Sequence, residues 1–316
     1  KENQLSVGVE HEKFIFDNST NQRTNFKTIS KVLKNRVLLI FGNSSINSKM
    51  KRMLTMLTYV LIAYAMLLIF LFVFQRSYLY FPDKETIPHH YFDEFNIKEV
   101  KHTTDDGLTL AGWFKQPDNS NTNVFLLMHG NAGHVGHRVE KFRKILEAGY
   151  GFFFLEYRGY GGNPGKPTEK GLHLDAISAL NFLREQKVAD QNIILYGESL
   201  GTGIAVQLAT TMKARAIVLE TPYTSIADVA QRHYWYLPAK WLVFDRFELL
   251  GIIENIQSPL LVLHGEQDKI TNVSFGRKVF AAAPQPKESF FVPHADHNNL
   301  FDFKVEEKIL LFLETI

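Results

Sequence analysis

One serine in the chain stands where an enzyme could place a nucleophile. Ser199 is the centre of GESLG, residues 197–201, which follows the apolar run NIILY and precedes TGIAVQLA, a segment with helical spacing. A G-x-S-x-G sequence between a buried strand and a helix predicts a sharp turn that exposes the serine hydroxyl. Glycine is expected at 197 and 201 because side chains there would collide in the turn. A serine that only caps the helix is the alternative.

A serine hydroxyl attacks at neutral pH only if a histidine takes its proton and a carboxylate orients that histidine. The sequence supplies both after Ser199. Asp268 follows the strand-like run PLLVLHG, and His297 lies in HADHNNLF before the last helix. We therefore predict a Ser199, His297 and Asp268 triad for acyl transfer, with Glu266 and Glu220 as alternative acids.

Acyl transfer also requires hydrogen-bond donors for the oxyanion that develops on the substrate. One expected donor is the backbone N–H of Leu200, directly after the serine. The other is expected from the loop in VFLLMHGNAGH, where Asn131 lies between two glycines, Gly130 and Gly133, that allow close approach of the backbone. The sequence predicts Leu200 and Asn131 as the oxyanion hole.

Composition removes several other chemistries. The chain has no cysteine, which excludes disulfides, thiolate catalysis and cysteine zinc sites. Its formal charge of +2 gives no electrostatic support for nucleic-acid binding. His294, Asp296 and His297 lack a second cluster at metal-ligand spacing, so neither a metal nor a cofactor is expected. His264 precedes a glycine at a strand end and is expected to pack or hydrogen-bond there.

The elements that must position these residues alternate between strand and helix. Short apolar runs predict strands at 108–114, 124–128, 151–157, 193–196, 216–219, 259–263 and 289–292. Apolar residues at spacings of three and four predict helices at 135–148, 168–184, 201–212, 273–282 and 303–313. This alternation predicts an α/β fold with a mostly parallel sheet and helices on both faces.

An uncharged apolar run precedes this domain. Residues 53–74 are long enough to span a hydrocarbon core of about 30 Å, so we predict a signal-anchor transmembrane helix over 50–75. A buried core helix and a cleaved signal peptide are alternatives. Lys49, Lys51 and Arg52 on the amino side outnumber Arg76 and Lys84 on the other, which favours a cytoplasmic amino terminus and an extracytoplasmic carboxyl-terminal domain.

The first 49 residues have no obvious relation to the rest of the chain. Residues 7–17, VGVEHEKFIFD, resemble the amino-terminal motif of a class of glutamate–cysteine ligases, in which Glu10 and Glu12 would help to hold metal and nucleotide. The resemblance covers only about 35 residues and the rest of a ligase is missing. Residues 1–49 are therefore treated as an extension of uncertain status.

The domain itself resembles a known superfamily. HGNAGHVGHR, YRGYGGNPGKPTEKGLHLDA, YGESLGTGIA, LETPYTSIADVA, LHGEQDKI and HADHNNLF occur in this order. Together they resemble the membrane-anchored ABHD-type branch of the α/β-hydrolases, often catalogued as serine-aminopeptidase-like, over residues 98–316. The resemblance implies the same triad, with Tyr157, Arg158 and Gly159 shaping a loop beside the site. Residues 76–97 are expected to be a stalk.

The sequence does not identify the leaving group, because this superfamily includes esterases, thioesterases, lipases and peptidases. Residues 222–251 are too long for an ordinary connection and are predicted to form a cap insertion. Seven aromatic residues of the cap predict a wall of rings facing the pocket: Tyr223, Tyr234, Trp235, Tyr236, Trp241, Phe244 and Phe247. Such a wall favours acyl ester or thioester substrates, possibly lipid-like ones, whereas an aminopeptidase would need a carboxylate, for which Glu220 and Asp245 are candidates. A non-catalytic membrane adaptor on the same fold is the third hypothesis.

Overall fold

The structure is a computed structural model that describes residues 47–118 and 123–316. It divides into two units, residues 1–64 and residues 65–316. The described part of the first unit is the beginning of helix α1 (Ser48–Leu79), which continues into the second unit. Glu10, Glu12 and the rest of the ligase-like segment lie outside the described residues.

Ten strands occur in the described residues: β1 Phe81–Pro82, β2 Lys98–Thr103, β3 Thr109–Lys115, β4 Val124–Met128, β5 Ala132–Gly133, β6 Gly151–Leu155, β7 Ile193–Glu198, β8 Ala216–Glu220, β9 Leu260–Gly265 and β10 Lys287–Val292. Eight of them form one sheet in the order β2-β3-β6-β4-β7-β8-β9-β10. Strand β3 runs antiparallel to both of its neighbours, β2 and β6, and the other pairs of this sheet are parallel. Strands β4 and β6 are buried along their whole length, as expected for parallel strands covered on both faces.

Helices cover both faces of this sheet. After α1 they are α2 His90–Asp93, α3 Arg143–Glu147, α4 Glu169–Glu185, α5 Leu200–Ala209, α6 Ile226–His233, α7 Ala239–Leu242, α8 Val273–Ala282 and α9 Val305–Thr315. Leu172 of α4, Ile204 of α5 and Val279 of α8 belong to one buried apolar cluster, while Ile145 of α3 and Ile309 of α9 belong to the cluster on the other face. The predicted α/β architecture is confirmed.

Two local details differ from the sequence-based expectation. Strand β2 was not predicted, because KEVKHT is a half-exposed edge strand with only one aliphatic residue. The helix expected over 135–148 is broken into two 3₁₀ turns, Val135–Arg138 and Glu140–Phe142, before α3 begins. Gly136 lies inside the first turn, where a glycine weakens a regular α-helix.

The segment expected to be a stalk, 76–97, is folded instead of free. Tyr80, Ile87, Phe92 and Ile97 are buried, and Phe92 stacks on Trp113 of β3 with ring centroids 3.7 Å apart. Strand β1 pairs in parallel with β5. Apolar side chains spaced along this segment therefore pack it onto the sheet, and residues from Tyr80 onward are part of the folded domain.

Candidate active site

Ser199 lies in the turn between β7 and α5 with φ 49° and ψ −114°, a conformation that a residue with a side chain rarely adopts. The turn is tight on both sides. A Cβ atom at Gly197 would lie 2.6 Å from the Thr202 Cα, and one at Gly201 would lie 2.0 Å from the Met128 carbonyl oxygen. These backbone contacts account for glycine at both positions and leave the Ser199 side chain at the wall of a cleft.

The three side chains predicted to act together lie in one hydrogen-bonded row. His297 Nε2 is 3.0 Å from Ser199 Oγ, and His297 Nδ1 is 2.7 Å from Asp268 Oδ2. Ser199 follows β7, Asp268 follows β9 and His297 follows β10. Because these strands run parallel, their carboxyl ends bring residues far apart in sequence to the same edge of the sheet. Such a row can carry a proton from a hydroxyl to an imidazole whose charge a carboxylate stabilises.

The Asp268 carboxylate is held by groups that the sequence did not indicate. Its Oδ1 accepts hydrogen bonds from the N–H groups of Ile270 and Thr271, both 2.8 Å, and its Oδ2 accepts one from the Thr271 hydroxyl at 2.9 Å. Burial opposes its ionisation, but hydrogen bonds from His264 and His297 outweigh burial and hold the pKa of the Asp268 carboxyl below its usual value. Asp268 is therefore ionised and fixed in orientation near neutral pH.

His264 takes the hydrogen-bonding role expected of it. The ring is fully buried, and its Nε2 lies 2.6 Å from the Thr271 carbonyl oxygen. That bond fixes the loop whose N–H groups hold Asp268.

The two alternative acids are engaged elsewhere. Glu266 pairs with Arg277 at the surface. Glu220, at the end of β8, accepts hydrogen bonds from Lys141 Nζ at 2.8 Å and from the Tyr196 hydroxyl at 2.6 Å. The carboxylate that lies against His297 is that of Asp268, and not that of Glu266 or Glu220.

Beneath Ser199 lies a compact ionic network. Lys141 Nζ is 2.8 Å from both Glu198 and Glu220, and Arg138 also bonds Glu198. Burial opposes ionisation of Glu198, but the two cations hold the pKa of its carboxyl below the usual value. The Ser199 N–H donates to the Glu220 carbonyl oxygen at 2.9 Å. The network thus supports both strand ends that carry the serine turn.

Leu200 and Asn131, the predicted oxyanion donors, line the same cleft as Ser199. The position of the Asn131 peptide is fixed by three bonds. Its side-chain amide donates to the Leu79 carbonyl oxygen at 2.8 Å, and its own carbonyl oxygen accepts from the Phe81 N–H and the Tyr160 hydroxyl, both at 2.9 Å. The end of α1 is therefore hydrogen-bonded directly to the loop beside Ser199.

The cleft that contains Ser199 has a volume of about 580 Å³, within the range of small-molecule sites. Its walls come from the end of α1, from α6 and α7, and from the loops around Ser199 and Thr271. Among the seven cap aromatics, only Tyr223 and Tyr234 line it. The predicted wall of rings is therefore wrong. Aliphatic side chains line most of the cap side instead: Ile226, Val229, Ala230, Leu237, Ala239, Leu242 and Val243.

A larger depression of about 780 Å³ lies at the antiparallel end of the sheet, beside Phe114 and Phe182. None of Ser199, Asp268 and His297 lines it, so it is not the candidate reaction site. The loop 157–159 lies beside the predicted oxyanion loop: the Tyr157 hydroxyl donates to the His129 carbonyl oxygen at 3.0 Å. Arg158 pairs with Asp106 and Asp175, and these ion pairs hold the turn in place.

The chain is similar in sequence to known proteins. Residues 119–244 match the family described as serine aminopeptidase, S33. An uncharacterised protein of Mycobacterium tuberculosis, Rv2307c, is 36% identical over 234 residues, which cover 73% of this chain and 83% of that protein. The lysophosphatidylserine lipase ABHD12 of Macaca fascicularis is 33% identical over 211 residues, covering 58% of this chain but only 52% of the lipase.

Solved structures show the same fold. The esterase Pf2001 of Pyrococcus furiosus superposes with a TM-score of 0.61 at 18% identity, covering 74% of this chain and 98% of the esterase. An α/β-hydrolase of Penicillium, GrgF, has a TM-score of 0.58 at 17% identity, covering 69% of this chain and 98% of that one. The chain therefore belongs to the α/β-hydrolase superfamily, in its ABHD-type branch of serine hydrolases.

Proposed function

We propose that the protein is a membrane-anchored hydrolase that cleaves acyl esters, including lipid-like ones, with Ser199, His297 and Asp268 as its catalytic triad. The observation that carries this proposal is the hydrogen-bonded row of these three side chains at the wall of an apolar cleft. Thioesters react by the same steps and belong to the same proposal.

In the proposed reaction, Ser199 Oγ attacks the ester carbonyl carbon while His297 Nε2 takes the hydroxyl proton. The oxyanion receives hydrogen bonds from the N–H groups of Leu200 and Asn131, and Asp268 stabilises the imidazolium. The carbon–oxygen bond to the alcohol then breaks, and His297 returns its proton to the departing alcohol oxygen. His297 then deprotonates a water, whose oxygen attacks the acyl carbon. The bond from that carbon to Ser199 Oγ breaks, Oγ takes the proton back from His297, and the carboxylic acid is released.

The cleft favours an acyl chain over a free amino group. Asp245 is the only carboxylate among the described residues that line it, and this side chain already accepts hydrogen bonds from Arg76 and Tyr80. An aminopeptidase would need a buried carboxylate available for the substrate ammonium. Lysophosphatidylserine, the lipid after which the ABHD12 lipases are named, is a single-chain acyl ester of the kind that an apolar cleft suits.

The membrane anchor is proposed from α1. It is the one helix in the described residues that is long and apolar enough to cross a bilayer, and its 18-residue apolar core is not buried in the protein. The basic residues before it favour a cytoplasmic amino terminus and an extracytoplasmic hydrolase domain. Alkaline phosphatase fused after residue 85 is expected to be active, and a cytoplasm-dependent fluorescent protein fused there is expected to be dark. The reverse pattern would overturn the orientation alone.

Substrate class is tested with the full chain in detergent. We expect hydrolysis of p-nitrophenyl butyrate and octanoate to exceed that of aminoacyl p-nitroanilides. Ser199→Ala should lower ester hydrolysis by on the order of 10³-fold or more, because only binding and the oxyanion donors remain. Robust aminopeptidase activity with negligible esterase activity would replace this proposal with the peptidase alternative. An absence of both activities, with no covalent labelling of Ser199, would favour the adaptor.

A further inference from the structure

The cap exposes large aromatic side chains that take no part in the cleft. Trp241 is 87% exposed and Trp235 78%, whereas Trp113, in the sheet, is 2% exposed. Neither exposed tryptophan lines the Ser199 cleft. Leaving rings of this size in water forgoes about 25 cal/mol for each Å² of apolar surface that could be buried. Trp235 also packs edge-to-face on the exposed Tyr236, with ring centroids 5.8 Å apart, and contiguous exposed rings of this kind mark an interaction surface.

The cap is fastened to α1 just where the apolar run of that helix ends. The rings of Phe244 and Phe72 have centroids 4.5 Å apart. Gln75 donates to the Leu242 carbonyl oxygen at 3.1 Å and accepts from the Phe244 N–H at 2.7 Å. Arg76 makes two hydrogen bonds to Asp245. Residues 242–245 are therefore held beside residues 72–76.

This attachment fixes the position of the cap aromatic side chains along the axis of α1. The apolar run ends at Phe74, and a helix rises 1.5 Å per residue, so Phe72 lies about 3 Å inside that end. Phe244, in ring contact with Phe72, lies at the same level. Trp241, in the adjoining helix α7, directly precedes Leu242, whose carbonyl oxygen accepts the hydrogen bond from Gln75. The Gln231 side chain bonds the Lys240 N–H and the Leu237 carbonyl oxygen, which joins the Trp235 loop to α7.

We propose that Trp235, Trp241 and Phe244 form a membrane-docking face, by which the cap inserts into the interfacial region of the bilayer that holds α1. This proposal rests on the anchoring proposed for α1. Tryptophan is enriched at this depth in membrane proteins because its ring is apolar and its N–H can still meet polar groups. The cleft between the cap and α1 would then open at the lipid surface, so that acyl chains enter without crossing water.

Tryptophan fluorescence tests the docking directly, because the chain contains only three tryptophans. The full chain is reconstituted in phosphatidylcholine vesicles with and without lipids brominated near the top of the acyl chain. W113F/W235F leaves Trp241 as the reporter, and W235F/W241F leaves Trp113. We expect bromolipid to remove roughly half of the Trp241 emission and little of the Trp113 emission. Equal quenching of the two reporters would overturn the proposal.

A further variant separates docking from anchoring. L61W, made with W113F, W235F and W241F, places the reporter in the middle of the apolar run of α1. Quenching of this variant by bromine deep in the acyl chain, without quenching of Trp241, would overturn docking and leave the anchor standing. If neither is quenched, both proposals fail.

Activity provides an independent measurement. W235S/W241S should lower hydrolysis of a bilayer-embedded acyl ester by roughly fivefold and leave that of p-nitrophenyl butyrate unchanged. L311S is the matched control, because Leu311 is also a large exposed apolar residue but lies on α9. Equal effects of W235S/W241S and L311S on the embedded substrate would contradict docking. A change in oligomeric mass with no change in lipid quenching would assign the surface to a second copy of the chain instead, and would also overturn the proposal.

Discussion

Replacing Lys141 with methionine tests how the serine turn is supported. Lys141 Nζ bridges Glu198 and Glu220, whose side chains are 16% and 4% exposed. Methionine keeps most of the side-chain volume but removes the charge and its hydrogen bonds. Glu198 keeps Arg138 as a partner, whereas the Tyr196 hydroxyl is the one remaining side-chain partner of Glu220 among the described residues. The variant therefore leaves a buried carboxylate without a cation.

Removing one partner of a buried ion pair costs about 3 to 5 kcal/mol. Because Lys141 is partly accessible and Arg138 remains, we expect K141M to lower the unfolding free energy by about 3 kcal/mol. In a domain of this size each kcal/mol shifts Tm by roughly 2 to 4 °C, so K141M should lower Tm by about 6 to 12 °C.

The assay is thermal unfolding of the full chain in detergent at neutral pH. K308M is the matched control, because Lys308 pairs with the more exposed Glu288 and should cost less than about 1 kcal/mol. The double variant K141M/E220Q should recover part of the lost Tm, because the unpaired carboxylate charge at position 220 is then removed. If K141M and K308M lower Tm equally, the ionic network does not support the turn as we argue.

Three further results are expected. Thr271→Val should lower kcat for p-nitrophenyl butyrate by about tenfold with little change in KM, because Asp268 loses a hydrogen bond; an unchanged kcat would contradict this. Asp268→Asn should lower kcat by on the order of 10³-fold or more, while Glu266→Gln leaves it near normal, and the opposite ranking would make Glu266 the acid. Burial lowers the pKa of His102 to about 4 in the folded protein, whereas the pKa of a histidine in the unfolded chain is about 6.5. As pH falls below about 6.5, the unfolded chain therefore binds a proton at this histidine before the folded protein does. The unfolding free energy should then fall by about 3 kcal/mol more in wild type than in His102→Asn between pH 6.5 and 4, and parallel pH profiles would refute the assignment.

Most of the sheet could be predicted because its strands are short and doubly covered, and such strands are unbroken apolar runs in the sequence. The edge strand β2 was not predicted because one of its faces is exposed to solvent, which makes its composition resemble that of a loop. The candidate triad could be predicted because each member follows a recognisable strand, and parallel strands align their carboxyl ends.

The contacts that complete the site could not be predicted in this way. Thr271, which holds Asp268, has no motif of its own, and its role depends on where the backbone turns after β9. The pairing of Gln75 and Arg76 with residues 242–245 joins segments about 170 positions apart. No local periodicity encodes such a contact. The predicted aromatic wall failed for a related reason, because composition does not reveal which face of a cap its rings occupy.

Covalent labelling of Ser199 tests the central claim most directly. The full chain is treated in detergent with a fluorophosphonate, and the modified peptide is identified by mass spectrometry. The proposed triad predicts a single adduct on Ser199, lost in Ser199→Ala and strongly slowed in His297→Ala, because the hydroxyl then has no base. Ester hydrolysis that persists in Ser199→Ala, or an adduct on another residue with Ser199 unmodified, would contradict it.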